Sequence, residues 1–277
     1  MISLAETLGR GTLGWGRLLD LEERAPEACR LMLPEPWCLA DVVVVLPTYQ
    51  EALNLPLIVA ALFDLPLAGL RLLVVDDNSP DGTGQVAEEL ADRYGRNRLS
   101  VLHRSAKEGL GRAYVDGMSR AVSAGADFVV QMDSDLSHGP QYLPQMLGTL
   151  LSANADLVIG SRYVVGASVD AEWPWYRKAL SGFANTYVRL LLQLGIQDVT
   201  AGYKLWRASA LESIDLHSIR SQGYSFQVEM NYRCIRQGLK VIELPIHFTD
   251  RTEGKSKITL KTQLESAIMP FKLRRYA

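Results

Sequence analysis

The 277-residue chain has few of the residues that build metal clips and disulfide scaffolds: three cysteines (Cys29, Cys38 and Cys234) and four histidines. An odd cysteine count with no CxxC spacing argues against a disulfide framework and a structural zinc site, and it fits a reducing compartment. Long apolar runs are also missing. The most apolar window, LNLPLIVAALFDLPLAGLRLLVV, is broken by Pro56, Asp64, Pro66 and Arg71, and no run reaches the ~18 apolar residues expected of a membrane span. The N-terminus carries Glu6 and Arg10 and lacks an apolar core of signal-peptide length. Charge of one sign is lacking as well. The formal net charge is −2, so there is no overall basic bias toward nucleic acid and any anion-binding region must be local. Neither GxxxxGK[ST] nor a GxGxxG directly after a strand occurs, which weakens P-loop and hydride-transfer readings. The expectation is a soluble chain, attached at most to a membrane surface.

Residues 1–40 read as an N-terminal extension and residues 41–277 as one domain. From Asp41 onward, β-branched runs alternate with amphipathic segments. DVVVVLP, LRLLVVDD, LSVLHR, ADFVVQMD and ADLVIGSR read as buried strands. Helices are expected around Asn54–Phe63 and in DGTGQVAEELADRYG, GLGRAYVDGMSRAVSAG and PQYLPQMLGTLLSA. Strict alternation with short loops predicts an α/β fold: an open, mostly parallel sheet flanked by helices, with ligands at the carboxyl ends of the strands. After residue 163 the alternation lapses. A long helix follows in WPWYRKALSGFANTYVRLLLQLG, then a short strand in DVTAGYKLWR, a helix in YSFQVEMNYRCIRQG, a strand in LKVIELPIHF, a basic loop DRTEGKSK and a last helix over Ile258–Tyr276.

The polar clusters fall at the strand ends. In VVQMDSDLSHGP an apolar run stops at two acids one residue apart, Asp133 and Asp135, flanking Ser134. Two such carboxylates repel each other, and a divalent cation shared with substrate phosphates relieves that repulsion; hard oxygen ligands suit Mg²⁺ or Mn²⁺. A solvated acidic turn is the bland alternative for so short a motif. Glu51 and Asp77 end neighbouring strands and suit hydrogen bonds to nucleotide hydroxyls or base amines, whereas Asp81 and Ser79 read as helix-cap and turn chemistry. The cations Arg162, Arg177, Arg251, Lys255 and Lys257 are candidates for phosphate contact, and Lys255 reads better as a solvated loop residue.

Two helices carry apolar stripes: Leu180, Phe183, Ala184, Tyr187, Leu190, Leu191 and Leu194 in the first, and Leu260, Leu264, Ala267, Ile268 and Phe271 in the last. With Lys257, Lys261, Lys272, Arg274 and Arg275 nearby, such helices could lie in an anionic headgroup region. Packing on the core is the favoured expectation, and Pro270 is expected to kink or end the last helix.

From about Val42 to Ile258 the chain resembles the polyprenyl- and dolichyl-phosphate mannose synthases of the inverting family-2 glycosyltransferases. The resemblance is carried by PTYQE (usually PTYNE), VVDDNSPDGT, GLGRAY, MDSDLSH (usually MDADLSH), GSRY, WPWYRKALSGFAN, DVTAGYK and DRTEGKSK. It implies the nucleotide-diphosphosugar transferase (GT-A) fold, with 41–163 as the nucleotide-sugar-binding half and 164–277 as the acceptor-binding half. It also implies that Pro47, Tyr49, Glu51, Val75 and Asp77 hold the guanosine of GDP-mannose. By the same resemblance Asp133, Ser134 and Asp135 form the metal–diphosphate segment, with the two acids as ligands of Mg²⁺ or Mn²⁺. Arg162, Arg251 and Lys257 contact phosphate, Arg177 and Ser181 lie near the lipid-phosphate acceptor, and Asp135, Arg177 and Arg251 carry the chemistry.

The implied reaction moves mannose from GDP-mannose to a polyprenyl or dolichyl monophosphate with inversion. The implied setting is the cytoplasmic face of a membrane, with peripheral attachment and a membrane-anchoring partner. Because a phosphate oxygen is already anionic, no strong base is needed, and His138 is expected to give positional support. Two other readings stay open: transfer from a UDP-sugar to undecaprenyl phosphate, and a non-catalytic nucleotide-sugar-binding subunit of a membrane complex.

Overall fold

A computed structural model describes residues 35–170, 174–219, 221–249 and 269–274. After a short helix α1 (Glu35–Cys38), four strand–helix steps and a fifth strand follow: β1 (Val42–Thr48), α2 (Leu55–Phe63), β2 (Leu70–Asp76), α3 (Thr83–Tyr94), β3 (Leu99–His103), α4 (Leu110–Ser123), β4 (Phe128–Gln131), α5 (Leu143–Ser152) and β5 (Leu157–Ser161). A single 3₁₀ turn, Pro140–Tyr142, precedes α5. The C-terminal part adds β6 (Ser168–Val169), α6 (Trp175–Leu192), β7 (Lys204–Arg207), α7 (Ala208–Ser213), α8 (Gly223–Arg236), β8 (Val241–Pro245) and β9 (His247–Phe248). Residues 269–274 are helical.

Seven strands form one sheet in the order β3-β2-β1-β4-β7-β5-β8. All pairings are parallel except those of β7, which runs antiparallel between β4 and β5. The strands of the first half and β7 and β8 of the second therefore share one sheet. The antiparallel insertion is a placement that strand-by-strand reading did not foresee. LKVIELPIHF also divides: β8 joins the main sheet, while β9 leaves it to pair with β6.

The β-branched runs are buried on both faces, as the unbroken hydrophobicity of VVVVLP requires. Val42, Val44 and Leu46 of β1 pack with Ile58 and Leu62 of α2 and Met146 and Leu147 of α5 on one face. Val43 and Val45 pack with Tyr114 and Met118 of α4 and Phe226 and Met230 of α8 on the other. This is the period-2 consequence of a strand buried between two helical layers. Helix α4 sits so close that a Cβ on Gly117 would meet Val45 Cγ1 at 2.4 Å and Val75 Cγ2 at 2.9 Å; only glycine allows this approach.

Helix α6 departs from the favoured sequence expectation. Val188 and Leu192 turn toward the core, while Trp175, Tyr176, Leu180, Phe183 and Leu190 stand exposed, Phe183 at 70% and Leu190 at 74%. Among the described residues no helix is long and apolar enough to cross a membrane.

Candidate active site

The sheet opens at its topological switch point, between β1 and β4. Pairing of β1 with β4 stops at Val45, whereas pairing with β2 continues to Thr48. Pro47, which has no N–H for a ladder, lies in the unpaired stretch, and its carbonyl accepts a hydrogen bond from Ser134 Oγ at 3.0 Å. That bond ties the loop after β4 to the end of β1.

The loops at this edge are held by their own side chains. The Glu51 backbone N–H donates to Thr83 Oγ1 at 3.0 Å and that of Gln50 to Ser79 Oγ at 3.1 Å. Asp81 accepts from Thr83 N–H and Oγ1 and from Ala52 N–H. It thereby caps α3 from a position one residue before the cap itself, since Gly82 occupies that place in a left-handed conformation. Ser79 bonds back to buried Asp76, so the turn reading of Ser79 and the capping reading of Asp81 both describe the local geometry. Three non-glycine residues of these loops have positive φ: Gln50 (60°), Asn78 (56°) and Leu136 (65°). Such backbone costs ~1–2 kcal/mol per residue, and strain of this kind concentrates at functional sites.

The carboxylates are fixed individually. Asp135 is buried and its Oδ1 accepts from Ser137 N–H at 3.1 Å and Ser137 Oγ at 2.6 Å. Asp133 Oδ1 accepts from the Tyr114 hydroxyl at 2.7 Å, and the Asp133 backbone N–H donates to His138 Nδ1 at 3.1 Å. An imidazole nitrogen that accepts from a backbone amide carries no proton, so His138 supports the loop and does not draw a proton through that atom. Gly202 adjoins both residues: a Cβ there would lie 3.0 Å from His138 Cε1 and 3.4 Å from Asp133 Oδ2. No described residue donates a hydrogen bond to Asp133 Oδ2, and no group of three or more His, Cys, Asp or Glu that could by itself hold a metal ion is present among the described residues. Two neighbouring carboxylates fit a hard cation that completes its shell with phosphate oxygens and water.

Around this centre, Asp77 meets Arg104, whose guanidinium also binds Glu108 at 2.7 Å and Asp116 at 2.9 Å. Burial raises the Asp77 pKa above the ordinary carboxylate value, and the Arg104 bond and charge only partly offset it. Burial works against the Arg104 charge, but its three acidic partners hold its pKa above the ordinary value. The Lys107 ammonium lies 3.6 Å from the centroid of the Tyr49 ring, in cation–π geometry. Val75 lies in β2, opposite Pro47 of β1.

Arg162 follows β5 as expected, but most of its donors are committed. Nε and Nη2 each reach a different oxygen of Asp198 at 2.8 Å, Nη2 also reaches Thr200 Oγ1, and the Arg162 backbone N–H adds a third bond to Asp198. Its guanidinium also sits over Tyr163 and Phe248, and the Tyr163 hydroxyl meets Ser181 Oγ at 2.7 Å. Arg162, Tyr163 and Ser181 are thereby brought together. Arg251, Lys255 and Lys257 lie outside the described residues, as does the side chain of Arg177; its backbone stands in the first turn of α6.

Sequence reasoning assigned no role to Arg104, Lys107, Tyr114 or Asp198. Arg104 directly follows β3, so the same strand-end logic that selected Glu51 and Asp77 would have found it. Tyr114 and Asp198 lie far along the chain from their partners and carry no local signal.

Residues 43–215 match the sequence profile of Glycosyl transferase family 2. The chain is 48% identical over 217 residues to polyprenol monophosphomannose synthase of Mycolicibacterium smegmatis, covering 78% of this chain and 80% of that protein. It is 44% identical over 218 residues to undecaprenyl-phosphate mannosyltransferase of Micrococcus luteus, covering 79% and 87%. Among solved structures, glucosyl-3-phosphoglycerate synthase of Mycobacterium tuberculosis, in complex with Mn²⁺, UDP and glucosyl-3-phosphoglycerate, has a TM-score of 0.60 at 18% identity, covering 96% of this chain and 85% of that one. A mannosyltransferase from Pyrobaculum calidifontis, in complex with GDP-Man and Mn²⁺, has a TM-score of 0.58 at 14% identity, covering 94% and 74%. The strand order, the strand-end carboxylates and these likenesses agree: the chain has the GT-A fold and belongs to glycosyltransferase family 2.

Proposed function

We propose that this enzyme transfers mannose from GDP-mannose to a polyprenyl monophosphate, with inversion at the anomeric carbon. The observation that carries the reading is the loop after β4. It carries, just past the strand, two separately anchored carboxylates at the sheet's switch point, in a chain 48% identical to a polyprenol monophosphomannose synthase. The Pyrobaculum neighbour holds GDP-Man with Mn²⁺ on the same fold, which supports the donor and the metal.

In this reading Pro47, Tyr49, Glu51, Val75 and Asp77 hold the guanosine, and Arg104 fixes the Asp77 carboxylate. Asp133 and Asp135 hold the cation, with Ser134 tying their loop to β1. A divalent cation held by these two residues would supply Lewis acidity and positive charge to the diphosphate. The acceptor attacks through a phosphate oxygen that is already anionic, so no side chain has to remove a proton. The barrier is electrostatic: two unit charges ~4 Å apart repel by ~4 kcal/mol at an effective dielectric near 20. Arg177, Arg251 and Lys257 bring positive charge to the acceptor and the departing phosphates. Arg162 shapes that wall through Asp198, and through Tyr163 it orients Ser181 near the acceptor phosphate.

The acceptor's lipid brings the reaction to a membrane surface, on the cytoplasmic side where nucleotide sugars reside. The exposed stripe of Tyr176, Leu180, Phe183 and Leu190 on α6, with Trp175 and exposed Lys178 at its start, has the make-up of an interfacial helix. A membrane-anchoring partner protein would use the same face or one beside it.

The test is incubation with labelled GDP-mannose and polyprenyl phosphate, followed by organic extraction. Label in the lipid phase that unlabelled GDP-mannose competes away, and UDP-glucose does not, is the expected outcome. Transfer from UDP-glucose in place of GDP-mannose would overturn the donor assignment.

A further inference from the structure

Tyr114 is buried completely, and its ring has no need of an oxygen. It stacks on Phe226 of α8 with centroids 5.8 Å apart and planes 3° from parallel, a place that phenylalanine would fill without taking a hydroxyl out of water. The hydroxyl has one hydrogen to give and gives it to Asp133 Oδ1 at 2.7 Å. Helix α4, which carries Tyr114, is seated tightly on β1 and β2 through Gly117, and this seating holds the phenol in place; Phe226 of α8 adds packing to the ring.

At the other end of the same residue, the backbone N–H of Asp133 is held by His138 Nδ1, and His138 stacks on Tyr203 with centroids 5.3 Å apart. The carboxylate of Asp133 therefore cannot rotate freely. One oxygen is occupied by the phenol; the other adjoins Gly202, where the missing Cβ leaves room.

We infer that the Tyr114 hydroxyl is a positioning residue for divalent-cation binding. It locks Asp133 so that this carboxylate meets the cation through Oδ2 alone, in one orientation set before the cation arrives. Outer hydrogen bonds of this kind orient metal-binding carboxylates, and their loss typically lowers metal affinity by ~10–100-fold. The inference rests on the reading that Asp133 ligates the cation.

The experiment measures Mn²⁺ binding in the presence of GDP, by the electron paramagnetic resonance signal of free Mn²⁺, for the full chain and three variants. Tyr114→Phe keeps the ring and removes only the hydroxyl; its Mn²⁺ dissociation constant is expected to rise ~10–100-fold. The Mn²⁺ concentration for half-maximal transfer should rise in parallel, with the rate at saturating Mn²⁺ unchanged. Phe226→Leu removes the ring stack and keeps the phenol; it should lower the melting temperature and leave Mn²⁺ affinity near that of the parent. Equal loss of affinity in Tyr114→Phe and Phe226→Leu would reduce Tyr114 to a packing residue and overturn the inference. Unchanged affinity in Tyr114→Phe, while Asp133→Ala abolishes binding, would overturn it and leave the cation site standing. Unchanged affinity in Asp133→Ala would remove the site itself.

Discussion

Arg162 grips Asp198 with two side-chain nitrogens, each 2.8 Å from a different carboxylate oxygen, and with its own backbone N–H at 3.0 Å. Asp198 is wholly buried and the Arg162 side chain is 10% exposed. A cation placed at a strand end, where a substrate phosphate is expected, is thus spent largely on an internal partner that shapes the loop beside the site.

Removing one partner of such a pair strands the other in low dielectric, at a cost of ~3–5 kcal/mol. Arg162→Ala should therefore lower the urea midpoint as well as activity. Burial alone would raise the Asp198 pKa, but the charge and hydrogen bonds of Arg162 outweigh it and hold the pKa below the ordinary 3.8. A depressed native pKa contributes stability that is present above the unfolded value and lost as pH falls through the native one. The parent should lose this increment in acid, below about pH 4, and Arg162→Ala should have none to lose. A variant as stable as the parent across that range would show the pair to be inert.

Lys204, wholly buried in β7, donates to Gln227 Oε1 at 2.8 Å, and burial lowers its pKa from 10.5 to about 7. Between those values the unfolded chain binds a proton that the native one does not, so stability rises with pH in that window. The unfolding free energy of the parent, relative to Lys204→Met, should grow by about 2 kcal/mol from pH 7 to pH 9. A difference that stays flat over this range would mean that the lysine keeps its charge in the core.

Gln50 holds φ at 60°, where asparagine is tolerated better than a longer side chain. Gln50→Asn should recover part of the ~1–2 kcal/mol left-handed backbone cost, read as a higher denaturation midpoint with the slope unchanged. A lower midpoint would mean that the Gln50 side chain makes contacts that outweigh the strain.

On α6, the double variant Phe183→Ser/Leu190→Ser should weaken binding to anionic lipid vesicles, because each exposed apolar side chain adds ~1.5–3 kcal/mol when fully buried in the acyl boundary. The circular dichroism spectrum should not change. Vesicle binding equal to that of the parent would assign the stripe to a protein partner.

β1, β2, β4 and β5 were legible in the sequence because each is an apolar run buried on both faces and closed by polar residues; β3, only partly buried, was legible from its place between two helical segments. β7 was legible as a strand but not as an antiparallel neighbour of β4, since a pairing such as Phe128 with Arg207, so distant in the chain, leaves no local trace. The apolar stripe of α6 was read correctly as helical. Which side faced the core was not legible, because the helix has apolar residues on two faces: Val188 and Leu192 turn inward while Phe183 and Leu190 turn outward. Asp133 and Asp135 stood out because two acids one residue apart ended an apolar run. Tyr114, which holds one of them, did not, because its partner is 19 residues away.

The most direct test of the central claim is lipid-extractable transfer from labelled GDP-mannose by the parent and by Asp135→Ala, each with Mn²⁺ and with a chelator. Label in the lipid phase is expected only for the parent with Mn²⁺, while Asp135→Ala keeps the parent's far-ultraviolet circular dichroism and loses transfer. Equal transfer by the parent in chelator, or by Asp135→Ala with Mn²⁺, would contradict that claim.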